Sequence, residues 1–359
     1  MSSQKLIFTQ QVAEAIDNII ASITPSPKVF VLTDTNVARD VLPTLSAASQ
    51  AISGATSVIT IPAGDVNKNI SSAMTAWQTL TEAKASRHDV MINIGGGVVT
   101  DLGGFVASTY KRGIRFINVP TTLLGAVDAA VGGKTGINFG GYKNQVGAFS
   151  NADAVIISTS HFKTLSQSEL LSGYAEMIKH AMLTGADTFA EVMSYDITDG
   201  GGNDTQLPAL LEKSIKVKEC IVAADPTEKG LRKALNWGHT IGHAFESFAM
   251  SRQAPIPHGF AVAYGMVVEA ILSHIKEGFP SARLHQLAQY INRHYQAPQF
   301  TCDDYPTLLT LMSQDKKNVD AAHINFTMLR DLGDPVIDCT ADAKTICDAL
   351  DIYRDLAGI

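Results

Sequence analysis

The chain has 359 residues, 45% of them hydrophobic and 18% charged, with ordinary shares of glycine and proline. That length favours two domains, and that composition excludes a disordered or fibrous protein. A formal net charge of -7 argues against a general nucleic-acid binder, whose grip on phosphate backbones needs surplus Lys and Arg, but permits a small anionic ligand in a locally basic pocket.

Cys220, Cys302, Cys339 and Cys347 show no C-x-x-C spacing, so reduced thiols are expected and neither a redox pair nor a zinc knuckle. The start "MSSQKLIFTQQVAEAI" has no basic region followed by a long apolar run, and no uncharged apolar stretch is expected to reach membrane-spanning length. A cytoplasmic protein with no nucleic-acid or membrane partner is the expectation.

Up to about residue 160, short β-branched runs alternate with helical patterns: "KVFVLTD" at 28–34, "SVITIP" at 57–62, "DVMINIGGG" at 89–97, "RFINVP" at 115–120 and "DAVIIS" at 153–158. Strands separated in this way by helices predict a mostly parallel, covered sheet. Ligands then belong at the carboxyl ends of the strands. There the polar and glycine-rich residues gather, in "TDTN" at 33–36, "PAGDVNK" at 62–68, "GGGVVTD" at 95–101 and "PTT" at 120–122. Glycine lets backbone N–H groups approach a phosphate, and a following helix adds its positive end. Gly95 and Gly97 begin a G-x-G-x-x pattern, but Thr100 stands where a dinucleotide fingerprint has its third glycine. Taken alone, these glycines suit a ligand-free strand-to-helix turn as well.

The stretch "GGKTGINFGGYKNQVGAF" at 132–149 sets Lys134, Lys143 and Asn144 among glycines, with Asp128 just upstream. Its lysines can act as point charges for a phosphate or carboxylate and its amide can bind hydroxyls. Dense glycine beside apolar "VGAF" predicts close backbone packing in place of a slack surface loop.

After Thr164 the pattern turns to amphipathic helices at approximately 166–186, 206–223, 231–250, 258–277 and 281–295, with "HINFTMLR" and "PVIDC" as minor strands. The boundary falls near 160–165, and a cleft between the two parts is the default site. Three elements offer metal ligands: Glu176 in "SGYAEMIKHAML", His239 and His243 in "LNWGHTIGHAFES", and His258 in "PIPHGFAVAYGM". Two imidazoles and one carboxylate leave a coordination position open. Spacing does not settle which histidines bind, and His180, four after Glu176, offers an alternative set. A zincin protease is disfavoured, because Thr240 stands where it needs Glu. Arg232, Asn236, His239 and His243 advance by four, three and four, so one helix is expected to carry all of them on one face. With Lys218 nearby, that face would join anion binding to metal binding.

These residues resemble the 3-dehydroquinate synthase family of the shikimate pathway over essentially the full chain. The resemblance is carried in order by "GGGVVTDLGGFVASTYKRGIRFINVPTTLL", "GGKTGIN", "YKNQVGAF", "GYAEMIKHA", "DPTEKGLRKALNWGHTIGHAFE", "HGFAVAYGM" and "DKKN". It implies an α/β, Rossmann-like NAD-binding domain over 1–163 and a mainly α-helical metal- and substrate-binding domain over 164–359. It further implies Glu176, His239 and His258 as ligands of a Zn2+ or Co2+ ion, leaving His243 for proton transfer and phosphate binding.

A small anionic sugar-phosphate substrate would be held by Lys134, Asn144, Lys179, Lys218, Arg232, Asn236 and Lys316 or Lys317, with Arg112 offered across a homodimer. The NAD contacts implied are Asp34, Asn36, Asp65, Lys68, Gly95, Gly96 and Gly97, together with Asp101, Thr121 and Thr122; Asp128, Lys134 and Lys143 belong to the same neighbourhood. Asp65 and Thr100 depart from the Glu and Gly that family members often carry. The implied reaction turns 3-deoxy-D-arabino-heptulosonate 7-phosphate into 3-dehydroquinate and phosphate, with NAD regenerated in each cycle. Related sugar phosphate cyclases, metal-dependent polyol dehydrogenases and a catalytically dead binding module are the competing readings.

Overall fold

The computed structural model describes residues 4–140, 142–198, 205–313 and 324–359. The chain divides into two compact units, Met1–Ser166 with Gly200–Ile215, and Gln167–Asp199 with Lys216–Ile359. The first unit holds β1 (Lys5–Phe8), β2 (Val29–Asp34), β3 (Ser57–Ile61), β4 (Val90–Gly95), β5 (Arg115–Pro120), β6 (Lys134–Phe139), β7 (Tyr142–Phe149) and β8 (Ala154–Ile157).

Six of these strands form one parallel sheet in the order β1-β8-β5-β4-β2-β3. Both β2 and β4 are buried almost along their whole length and mainly apolar, as befits strands covered on both faces, with Thr33 and Asn93 as buried polar exceptions. On one face Val31, Ile92 and Ile117 pack with Val12, Ile16, Leu45 and Ile52. From β2 the chain steps outward to β3 and then returns to place β4 on the other side of β2, in register Thr33 to Ile94. That reversal makes the carboxyl ends of β2 and β4 the switch point at which open α/β sheets bind ligands. Asp34 and Gly95 end those two strands.

The glycine-rich stretch at 132–149 is an antiparallel hairpin of β6 and β7, pairing Lys134 with Phe149 and Ile137 with Val146. A Cβ on Gly147 would stand 2.2 Å from the Thr135 carbonyl oxygen, so the close packing expected there is a strand-on-strand approach. Neither this pair nor β1 is evident from alternation, because β1 spans four residues and glycine interrupts the hairpin.

The second unit is mainly helical, with β9 (Ile324–Asp331) and β10 (Asp334–Ala341) as an antiparallel pair. Its centre is the helix His258–Glu277, buried without a break from Ala261 to Ser273. By length and mean hydropathy, 1.3 over its best window, this helix is long and apolar enough to cross a membrane, but it carries Glu269 and so is not an uncharged apolar stretch of that length. The window is 78% buried inside the protein, as befits a core helix apolar all round.

A correction concerns 231–250. The segment is two elements: a 3-10 turn at Leu231–Asn236 and an α-helix that begins only at His239. Trp237 is extended, and Gly238 has φ of 80°, the left-handed region that favours glycine. The helix His258–Glu277 passes so close that a Cβ on Gly238 would stand 2.5 Å from Met266 Cγ. Arg232 and Asn236 therefore do not share a helical face with His239 and His243.

The helix Gly97–Thr109 crosses β4 equally closely. A Cβ on Gly103 would lie 2.1 Å from Asn93 Oδ1, and Asn93 Nδ2 already donates to Asn118 Oδ1 at 2.8 Å. The close-packing glycine that Thr100 does not supply thus stands three residues later. We expect Gly103→Ala to cost about 1–3 kcal/mol through overpacking, read as a lower urea midpoint with an unchanged m-value. A midpoint equal to wild type would show that the crossing has slack.

Candidate metal centre and dinucleotide turn

In the first unit, Asp34 closes β2 and caps the next helix, its Oδ1 accepting the N–H groups of Asn36 at 2.9 Å and Val37 at 3.1 Å. Gly95, Gly96 and Gly97 lead from β4 into the helix Gly97–Thr109, whose first turn has no side-chain cap. Uncapped N–H groups at a helix start suit a phosphate. A Cβ on Gly96 would press to 3.0 Å from Thr122 Cγ2, so a side chain there would have to push Thr122 aside. Thr121 donates its N–H to the Gly95 carbonyl at 3.0 Å, and Thr122 Oγ1 accepts from Gly125 N–H at 3.0 Å. Thr100 is 1% exposed and its hydroxyl turns back to the Gly97 carbonyl at 3.2 Å. Its side chain is folded against its own helix.

Around that turn the charged residues are linked to one another. Lys68, 5% exposed, reaches Asp101 Oδ2 at 3.2 Å and Asp65 Oδ1 at 3.7 Å. Lys143 Nζ lies 3.4 Å from the other Asp65 oxygen, which also accepts from Asn138 Nδ2 at 3.1 Å. Asn144 donates its N–H to Asn138 Oδ1. Asp65, Lys68, Asp101 and Lys143 are therefore one network, and the amide of Asn138, which sequence reading did not single out, ties the hairpin to it. Asp128 lies in the π-helical turn Gly125–Ala129, Lys134 opens β6 exposed, and Arg112 is exposed in a turn with φ of 65°.

In the second unit, Glu176, Lys179 and His180 lie on the helix Gln167–Met182, and all three are buried. Glu176 is 0% exposed. Its Oε1 faces His239 Nε2 at 3.5 Å and His258 Nε2 at 3.9 Å, and receives no hydrogen bond from the described residues. Among the described residues these three make the only group of His, Cys, Asp or Glu donor atoms that all lie within 4.8 Å of one another. His180 is not in it. The other nitrogen of each imidazole is held: His239 Nδ1 by the Trp237 carbonyl at 3.2 Å, and His258 Nδ1 by Glu246 Oε2 at 3.3 Å. Outer partners of this kind fix the tautomer and aim the Nε2 lone pair, the arrangement that metal-ligating histidines need. A buried carboxylate oxygen without a donor, faced by two such nitrogens, fits a divalent cation.

Two contacts bring these helices together. Ser172 Oγ accepts the Gly259 N–H at 3.0 Å, one residue beyond His258 and one turn before Glu176. A Cβ on Gly259 would overlap the Ser172 carbonyl. His243 is not a member of the donor group, but its ring centroid lies 5.4 Å from that of His239 and 6.0 Å from that of His258.

Lys179 pairs with the second oxygen of Glu176. Arg232, 2% exposed, donates from Nη1 to the Pro226 carbonyl at 2.8 Å, and Asn236 Nδ2 donates to Glu228 Oε1 at 2.8 Å. Asp225 organises that loop by accepting the N–H groups of Lys229, Gly230 and Arg232. The Gly230 N–H above all holds its carboxyl below the ordinary value. The loop is thus held above the usual carboxylate pKa and loosens as pH falls through the lowered one. Lys218 is buried on the helix Leu207–Ala224, while Lys316 and Lys317 lie outside the described residues. Glu246 was missed by sequence reading, although it stands seven residues, two helical turns, after His239 and so on the same face.

Residues 58–172 match the family model described as 3-dehydroquinate synthase N-terminal, and residues 173–318 the one described as 3-dehydroquinate synthase C-terminal. The chain belongs to the 3-dehydroquinate synthase family. A family member, the 3-dehydroquinate synthase of Parabacteroides distasonis, is 45% identical over 359 residues, 100% of each chain. Among solved structures, 2-epi-5-epi-valiolone synthase from Streptomyces hygroscopicus subsp. jinggangensis, with NAD+ and Zn2+ bound, has a TM-score of 0.84 at 22% identity, over 99% of this chain and 98% of that one. A 2-deoxy-scyllo-inosose synthase complexed with carbaglucose-6-phosphate, NAD+ and Co2+ has a TM-score of 0.83 at 20% identity, over 98% and 96%. These two likenesses show the fold: an α/β, Rossmann-like unit followed by a mainly helical one.

The outer shell of the metal centre is open to test. Glu246→Gln keeps the shape at His258 Nδ1 but removes the charge, and should weaken Zn2+ or Co2+ binding about 10- to 100-fold in competition with a chromophoric chelator. Unchanged affinity would mean that this contact does not aim the ring.

Proposed function

We propose that this member of the family converts 3-deoxy-D-arabino-heptulosonate 7-phosphate into 3-dehydroquinate and phosphate, acting in the cytoplasm as a homodimer. The single observation that carries the metal requirement is the Glu176 oxygen without a donor, faced by the Nε2 atoms of His239 and His258. Those three residues hold a Zn2+ or Co2+ ion, for which an imidazole–imidazole–carboxylate set is suited. NAD occupies the first unit at Gly95–Gly97, Thr121 and Thr122, and its ribose and phosphate partners come from Asp34, Asn36, Asp65, Lys68 and Asp101, with Asp128, Lys134 and Lys143 nearby. When bound, the metal ion would supply Lewis acidity toward a substrate hydroxyl and NAD a reversible hydride acceptor.

The protein's own side chains hold and orient. Lys134, Lys218, Arg232 and a lysine of Lys316 and Lys317 clamp the phosphate and carboxylate as fixed positive charges. Asn144 and Asn236 bind hydroxyls, and Arg112 reaches the site from a partner subunit. Lys179, proposed with these to hold the substrate, also forms an ion pair with Glu176 on its own helix, so its charge stands beside the carboxylate that would hold the metal. His243 holds and passes a proton at a ring nitrogen, beside but outside the donor group. The homodimer is supported by apolar side chains left exposed on the β6–β7 hairpin, among them Phe139, Tyr142 and Phe149.

Phosphate release from the heptulosonate tests the reading. Wild type should release phosphate with no net growth of the nicotinamide absorbance, and a chelator should stop it. Net NADH would indicate a polyol dehydrogenase, and cyclisation of sedoheptulose 7-phosphate alone would indicate another cyclase. His239→Ala should lose metal and activity together. His243→Ala should keep metal and turn over about 10²- to 10⁴-fold more slowly, the usual worth of a positioned acid or base. Equal metal loss in both variants would overturn the division of roles.

A further inference from the structure

The α-helix that presents His239 and His243 starts without a cap of its own. Its N-cap is Gly238, which has no side chain to accept the N–H groups of the first turn, where Ser, Thr, Asp or Asn would ordinarily do so. The acceptor comes from another helix. Glu269, 0% exposed on His258–Glu277, takes the Gly238 N–H on Oε2 at 2.6 Å and the Ile241 N–H on Oε1 at 3.1 Å. His239 lies between those two bonded residues. The backbones are also in contact there, since a Cβ on Gly265 would sit 2.0 Å from the Gly238 carbonyl oxygen.

We propose that Glu269 is a positioning residue for metal binding: its buried carboxylate fixes the first turn at Gly238–Ile241 and thereby sets where His239 Nε2 stands relative to Glu176 and His258. This inference rests on the metal reading above. Two charge-assisted hydrogen bonds on either side of one residue hold its backbone against both rotation and slip. The carboxylate is also favoured electrostatically at a helix N-terminus. The precision matters because metal–ligand distances tolerate shifts of only about 0.2 Å, and a small swing of the first turn moves the end of an imidazole further than that. Glu269 itself is not among the donor atoms of the metal group. It acts through the backbone.

The test uses the full chain stripped of metal and titrated with Co2+, read as a dissociation constant and as the visible d–d spectrum. Glu269→Gln keeps the volume but turns an amide NH2 toward one of the two N–H donors. It should weaken Co2+ binding about tenfold, the lower end for an outer partner, and shift the d–d bands at temperatures where near-ultraviolet circular dichroism stays native. Glu269→Asp keeps both acceptors but shortens their reach, so it should show a smaller shift in the same direction, and it carries the test if the Gln variant does not fold. Ser273→Ala, which removes a buried hydroxyl bonded to the Glu269 carbonyl and the Leu329 N–H, should lower the melting temperature while leaving affinity and spectrum unchanged. Wild-type affinity and spectrum in the folded Glu269 variants would overturn the proposal. Failure of the wild-type protein to bind Co2+ in a manner lost with His239→Ala would instead overturn the metal reading, and this inference with it.

Discussion

An ionised side chain sealed away from water is the constraint around which the second unit is organised. Removing a carboxylate from water costs several kcal/mol even after the surroundings relax, and Glu176 is fully buried. Lys179 meets one oxygen from one helical turn away. Among the described residues the other oxygen is met by imidazole nitrogens alone. A carboxylate oxygen faced by two imidazole lone pairs is a donor set that a divalent cation fits.

The geometry of that site is set by backbone contacts more than by side-chain packing. Gly259 lies against the Ser172 carbonyl, Gly265 against Gly238, and Gly242 against Ala261. Where two helices touch through their main chains there is no rotamer to adjust, so their spacing is nearly rigid. In the first unit the close approaches are to side chains, Gly103 to the Asn93 amide and Gly96 to Thr122 Cγ2. The second unit's candidate site therefore rests on crossings at which one methyl group is too many, and those glycines matter for spacing more than for flexibility.

Much of this was legible in the sequence, and the exceptions have physical causes. The strands β2, β4 and β5 announced themselves as apolar runs because both faces are covered, and the glycines after β4 marked the turn. The three metal candidates were legible by residue type, but i, i+4 spacing alone could not choose among His239, His243 and His180. Where the helix starts sets how His239 and His243 are presented, and that start carries a left-handed Gly238 whose N–H is held by a different helix. Glu269 was illegible because an acidic residue within a helix usually faces solvent, and Glu246, although its spacing put it on the face of His239, was passed over for the same reason; only the fold reveals what each one meets. The hairpin of β6 and β7 escaped because its glycines suppress the alternation that identifies strands.

Glu269 has a further consequence, felt before the protein is folded. The segment His258–Glu277 has the length and hydropathy of a bilayer-spanning stretch, and a nascent chain exposes it with nothing packed around it. An acidic group near the middle of such a stretch raises its insertion free energy by about 2.5–3.5 kcal/mol. The carboxylate that anchors a neighbouring helix in the finished molecule is thus also the group that makes this stretch costly to place in lipid.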